Sequence, residues 1–115
     1  GPTPAPAVDV ILEWGGRRKT ARALIDTGAS GTLLCLSDYL DLRLQKIGDA
    51  EDVGGVGKAK VNPTVVNITF EGIPFPNFPV MAATTHDMPV ILIGRDLLNR
   101  YLLECNGPSL EFEIR

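Results

Sequence analysis

The sequence predicts an all-β domain with one or two short helices, and three observations carry that expectation. Eight or nine short segments of strand composition follow one another along the 115 residues. Glycine-bearing turns punctuate them, at Gly15-Gly16 and Glu71-Gly72 among others. Only two stretches, "SDYLDLRL" and "RDLLNR", carry helix signals.

In chain order, "GPTPAPA" (1–7) is Pro-rich and reads as an extended arm or linker. Its Gly1-Pro2 start reads as the remnant of tag removal, so residues 8–115 are expected to be an excised domain. "VDVILEW" (8–14) is β-branched and apolar, Gly15-Gly16 supplies a turn, and "KTARALI" (19–25) is the return arm. Thr32 to Leu36 is a short apolar strand. Ser37 is a good helix cap for residues 37–44, with Leu40 and Leu44 on one face. "GDAEDVGGVGKAKV" (48–61) carries four glycines and reads as a mobile hairpin. "TVVNITFEG" (64–72) is a strand ending in a turn. "FPNFPVMAAT" (75–84) is strand-like but interrupted by proline, which suits a sheet edge. "PVILIG" (89–94) is a continuous apolar run, the pattern of a strand buried on both faces. A short helix over 95–100 follows, and "YLLEC" and "SLEFEIR" read as a closing hairpin around Asn106-Gly107-Pro108.

Composition narrows the function classes. With 44% hydrophobic residues the chain can bury a core as one domain. A net charge of −3 argues against a nucleic-acid partner, and Arg17, Arg18 and Lys19 read as a solvated turn. No apolar run approaches the ~18–20 residues of a bilayer span, and these residues carry no signal-peptide pattern. Cys35 and Cys105 match no metal or redox spacing and suit two half-buried thiols in a reducing compartment. No metal or cofactor is expected. "GGVGK" fails as a phosphate loop, since Asp52 stands where a glycine is needed and Ala59 where Ser or Thr is. Asp49, Glu51 and Asp52 lack calcium-loop spacing. His86, the single histidine, lies in a polar loop with no nucleophile motif. Asn67-Ile68-Thr69 fits a glycosylation acceptor, but nothing marks the chain as secreted.

The chemistry concentrates in "RALIDTGASGTLL" (22–34). Leu24 and Ile25 bring a strand out of the core, and Asp26 follows at its end. Gly28 lets the chain fold into a tight loop, and Thr27 offers a hydroxyl to bond backbone across it. A lone carboxylate held in a partly dry loop is costly without a partner. The chain has one Asp-Thr-Gly, so the natural partner is the same residue of a second copy across a two-fold axis. Two carboxylates that close share one proton and can serve as general base and general acid for a single water.

"LIDTGAS" resembles the active-site signature of the retropepsin-like aspartic proteases, the single-domain family of the retroviral enzymes. Two further pieces stand in the family's order: "VGGVGK" (53–58) is similar to its glycine-rich flap, and "VILIGRDLL" (90–98) to its late strand and helix. The resemblance implies a closed, barrel-like β domain that works as a homodimer and hydrolyses polypeptide substrate without metal or covalent intermediate. Asp26 would be the catalytic residue, Thr27 would lock the two loops together, and Gly28 and Ala29 would support the loop and bound peptide. Val53, Gly54, Gly55, Val56 and Gly57 would form the flap. Gly94, Arg95 and Asp96 would lie beneath the catalytic loop, Gly94 permitting its close approach. Leu24, Val56, Val90 or Ile91 would line substrate pockets.

One departure bears on the dimer. Retroviral members often carry an Asp soon after the motif's Ala that pairs with the helix Arg, whereas Ser30 and Gly31 follow Ala29 here. Arg95 is therefore expected to turn to an acid such as Asp41 or Asp96. Dimer strength should then rest on terminal strands, from "SLEFEIR" or from the segment near Ala7. The alternative function is a non-catalytic dimerisation or peptide-binding module on the same fold.

Overall fold

A computed structural model describes residues 6–48, 51–52, 60–85 and 88–114, with side chains described outside 51–52 and 106–114. Among these residues seven strands and two helices follow in the order β1 (Ala7–Trp14), β2 (Arg17–Ile25), β3 (Leu33–Leu34), α1 (Leu36–Asp41), β4 (Glu51–Asp52), β5 (Lys60–Phe70), β6 (Ile73–Ala83), β7 (Ile91–Ile93) and α2 (Arg95–Ile114). Strand order is β1-β2-β7-β3-β6-β5-β4, and a further β1–β5 pairing closes six of the strands into a barrel. On its edge away from β6, β5 serves two neighbours: its start pairs with β4, and Asn67 to Phe70 pair with Glu13 to Val10 of β1. Closure leaves few open edges.

The barrel forms because its strands alternate in and out with period two. Val10 and Leu12 of β1 point inward, as do Val66, Ile68 and Phe70 of β5, and all are buried. They meet Ala23, Leu34, Val80, Ala82, Ile91 and Ile93 in one core. The expected hairpin turns are present, with Gly15 and Gly16 at φ 58° and 82° and Glu71-Gly72 at 51° and 79°. A bulge near Asn67 shifts the β5–β6 register, and Asn67 Oδ1 accepts from the backbone N–H of Asn77 at 2.8 Å.

Several elements depart from the sequence expectation. The closing hairpin is absent: residues 95–114 are one helix, which absorbs both the short helix and the segment around Asn106-Gly107-Pro108. Leu97, Leu98 and Tyr101 recur at helical spacing against the barrel. The Tyr101 ring meets Phe70 edge-on, with centroids 4.9 Å apart. The helix itself runs on past Asn106-Gly107-Pro108, where the turn residues suggested a break. β3 is two residues long, and α1 starts at Leu36 after Cys35 rather than after Ser37. Asp38, in the first turn of α1, accepts from the Cys35 N–H at 3.0 Å, which fixes that start. The proline-bearing half of β6, residues 74–79, pairs only with β5 among the described residues. Its last residues are interior, since Met81 and Ala82 also pair with β3. β6 is therefore an edge only where its prolines lie.

Lys19 leaves the solvated cluster in which the sequence placed it. Its Nζ meets Asp38 at 2.9 Å and Asp41 at 2.8 Å, clamping the first hairpin onto α1, while Arg17 and Arg18 stay exposed. The thiols also differ: Cys35 is buried and Cys105 exposed. The hairpin expected over 48–61 is borne out at its base, where Glu51 pairs with Val61 and Asp52 with Lys60.

Candidate active site

Asp26 stands just past the end of β2, where that strand runs parallel to β7. Its backbone N–H donates to the Ile93 carbonyl at 2.9 Å, so the barrel fixes where the loop begins. The chain then turns: the Ala29 N–H donates to the Asp26 carbonyl at 3.1 Å, and the Gly28 N–H to Asp26 Oδ1 at 3.0 Å. Asp26 is half-buried, while Thr27 and Gly28 are exposed. Asp26 thus presents a carboxylate held by its own loop at the end of a barrel strand.

The first turn of α2 carries the loop from below. Arg95 N–H donates to the Ala29 carbonyl at 2.9 Å and Asp96 N–H to the Ser30 carbonyl at 3.2 Å. Thr32, 1% exposed, ties the two segments through its side chain. Its hydroxyl donates to Asp96 Oδ1 at 2.7 Å and accepts from the Gly94 N–H at 3.1 Å, and its N–H donates to Asp96 Oδ2 at 3.1 Å. Gly94 is required here, because an added Cβ would sit 2.5 Å from the Gly31 carbonyl carbon and 2.9 Å from its nitrogen. The expected close passage under the loop therefore falls at Gly31, five residues beyond Asp26.

Arg95 takes neither carboxylate the sequence offered it. Asp41 is engaged by Lys19 and Asp96 by Thr32, while Arg95 Nη1 donates to the Thr27 carbonyl at 2.7 Å. Thr32 and its exchange with Asp96 were missed by sequence reasoning. The one available signal was a Thr five residues after the motif glycine's own Thr, which is no signal without the fold.

Substrate-lining expectations fare unevenly. Ile91 is fully buried in the barrel core and cannot line a pocket, because β7 turns that side chain inward. Leu24 and Val90 are half-buried. The flap, residues 53–57, lies outside the described residues, as does His86. An unanticipated cavity of about 180 Å³ opens between Gly31 and Asp96 on one side and Ile47, Pro63, Pro79 and Met81 on the other. Among the described residues neither terminal segment presents a free strand: residue 7 already pairs with Leu24, and residues 109–114 belong to α2.

A family model described as aspartyl protease matches residues 10–97. Among solved structures, the chain is similar to the EIAV protease in complex with the inhibitor HBY-793. That match has 27% identity and a TM-score of 0.63, covering 84% of this chain and 88% of that one. It also shares its fold with the retroviral protease-like domain of Ddi1 from Leishmania major, at 16% identity and a TM-score of 0.65, covering 86% of this chain and 78% of that one. No curated protein sequence matches the chain. The barrel, the loop bearing Asp26 and the helix beneath it thus agree with the family match over most of the described residues, and the chain belongs to the aspartyl protease family with the retropepsin fold.

Proposed function

We propose that the protein is an endopeptidase whose catalytic pair is Asp26 and its counterpart from a second copy. The observation that carries this reading is the placement of one half-buried carboxylate, aimed by the Gly28 N–H, on a loop locked to barrel and helix. One such group cannot act as both acid and base at once, so the site is incomplete in a single chain. Across a two-fold axis the two carboxylates straddle one water and share one proton. The unprotonated oxygen takes a proton from the water as it attacks the scissile carbonyl, and the shared proton passes to the substrate. Thr27, exposed beside Asp26, faces the partner loop in that arrangement.

Substrate lies extended and bonds through its backbone as an added strand. The cavity between Gly31 and Met81 receives an apolar side chain of that substrate. Similarity to the EIAV protease, whose structure holds an inhibitor, supports both the dimer and the polypeptide substrate.

The test is incubation of the purified protein with casein or a peptide library under mildly acidic conditions. Asp26→Asn abolishes cleavage while the assembly persists, and turnover near wild type in that variant refutes the assignment. A folded dimer that cleaves nothing leaves a peptide-binding module.

A further inference from the structure

The peptide group joining Thr27 to Gly28 is held by a side chain at each end. Its carbonyl accepts from Arg95 Nη1 at 2.7 Å, and its N–H donates to Asp26 Oδ1 at 3.0 Å. A trans peptide is planar, with its C=O and N–H pointing in opposite directions. Fixing one end therefore sets the aim of the other. We infer that Arg95 is a positioning residue for Asp26, acting through this single peptide plane.

Three features make the plane depend on such a hold. Gly28 has no Cβ to resist rotation of the plane about its flanking bonds. Thr27 and Gly28 are both exposed, so packing does not restrain them. Three other carbonyls of the loop are held by backbone donors: Asp26 by Ala29, Ala29 by Arg95, and Ser30 by Asp96. Thr27 is the carbonyl of that run whose hold comes from a side chain.

Arginine suits the task. Its planar fork reaches a carbonyl lone pair from the first turn of α2, and its charge persists at every working pH. A charge-assisted bond to the carbonyl is shorter and stronger than a neutral one. It also polarises the peptide, which makes the Gly28 N–H a better donor to the carboxylate. The helix arginine thus holds the catalytic loop within one chain, through backbone, where an ion pair was expected. The kinetic part of this inference rests on the peptidase reading; its geometric part does not.

The test compares wild type, Arg95→Lys, Arg95→Gln and Arg95→Met in the full chain. Two readouts are taken: the Gly28 amide proton by nitrogen-edited NMR, with its temperature coefficient, and kcat and KM on a cleaved peptide. In Arg95→Met the Gly28 amide takes on the behaviour of a water-bonded amide, and kcat falls about tenfold with KM within about twofold. Arg95→Lys, which restores a cationic donor, recovers part of both. If Arg95→Met does not fold, Arg95→Gln and Arg95→Lys supply the same comparison. An unchanged Gly28 amide in a folded Arg95→Met or Arg95→Gln overturns the inference, as does a loss of activity matched by the loss of folded protein. If wild type cleaves nothing while the Gly28 amide responds as stated, the peptidase reading fails and the positioning role stands.

Discussion

Gly94→Ala is the sharpest single perturbation of the site's foundation. The new methyl group would lie 2.5 Å from the Gly31 carbonyl carbon and 2.9 Å from the Gly31 nitrogen, and would also meet the Gly31 carbonyl oxygen. Non-bonded carbons rest at about 3.5–4 Å, so the two segments must part by roughly 1 Å. Both are backbone, and neither can swing away as a long side chain could. The bonds from Gly94 to Thr32, Arg95 to Ala29 and Asp96 to Ser30 oppose the movement. Over-packing of this kind costs about 1–3 kcal/mol, and the locked surroundings put Gly94→Ala at the upper end. A loss near 3 kcal/mol lowers the Tm of a domain this size by roughly 10 °C. Activity should fall further than stability, because the loop that moves carries Asp26, and a 1 Å misplacement of a catalytic group can cost on the order of 100-fold. Urea unfolding gives the first quantity, and kcat per folded molecule gives the second. A Gly94→Ala protein within about 0.5 kcal/mol of wild type, with kcat unchanged, refutes the packing argument.

Other predictions follow from neighbouring contacts. Thr32→Val strips the buried Gly94 N–H of its acceptor and should destabilise by about 1–3 kcal/mol in urea unfolding; a neutral result contradicts the role given to that hydroxyl. Lys19→Met leaves Asp38, 2% exposed, without its cation. A double-mutant cycle with Asp38→Asn should therefore show a coupling of about 1 kcal/mol or more, and additive losses argue against the clamp. Burial alone would lower the pKa of the Lys19 ammonium, but the hydrogen bonds it donates to Asp41 and Asp38 outweigh that and raise the group above its usual 10.5. Its stabilising contribution is then fully present below about pH 10.5 and is lost as pH rises through the higher folded value; in Lys19→Met that segment of the stability profile should flatten. Of the two thiols, Cys105 should react with a disulfide reagent at once and Cys35 only on unfolding, since one is exposed and the other buried. Two equally fast thiols contradict the burial.

The elements written in local pattern were legible in the sequence. Gly15-Gly16 and Glu71-Gly72 form the turns their residue types require. The apolar run before Gly94 does form a strand beneath the loop of Asp26. What the chain could not announce were outcomes of competition at a distance. Arg95 had two acids within plausible reach, but Lys19 and Thr32 took them, and only the fold shows who arrives first. Ile91 is adjacent to residues of the right character, yet strand alternation sends it inward. Asn106-Gly107-Pro108 has strong turn chemistry, and the helix that starts at Arg95 runs through it once Tyr101 is packed on Phe70. The proline-rich strand was half right, because pairing to β3 reaches only Met81 and Ala82.

The central claim is that each catalytic centre needs a carboxylate from both of two chains. Mixing wild type with Asp26→Asn at fixed total concentration, after exchange of subunits, measures it. The account predicts that activity follows the square of the wild-type fraction, leaving about one quarter at an equal mixture, since every mixed pair is dead. Activity that falls in direct proportion to the wild-type fraction would show that one chain suffices, and the account would be wrong.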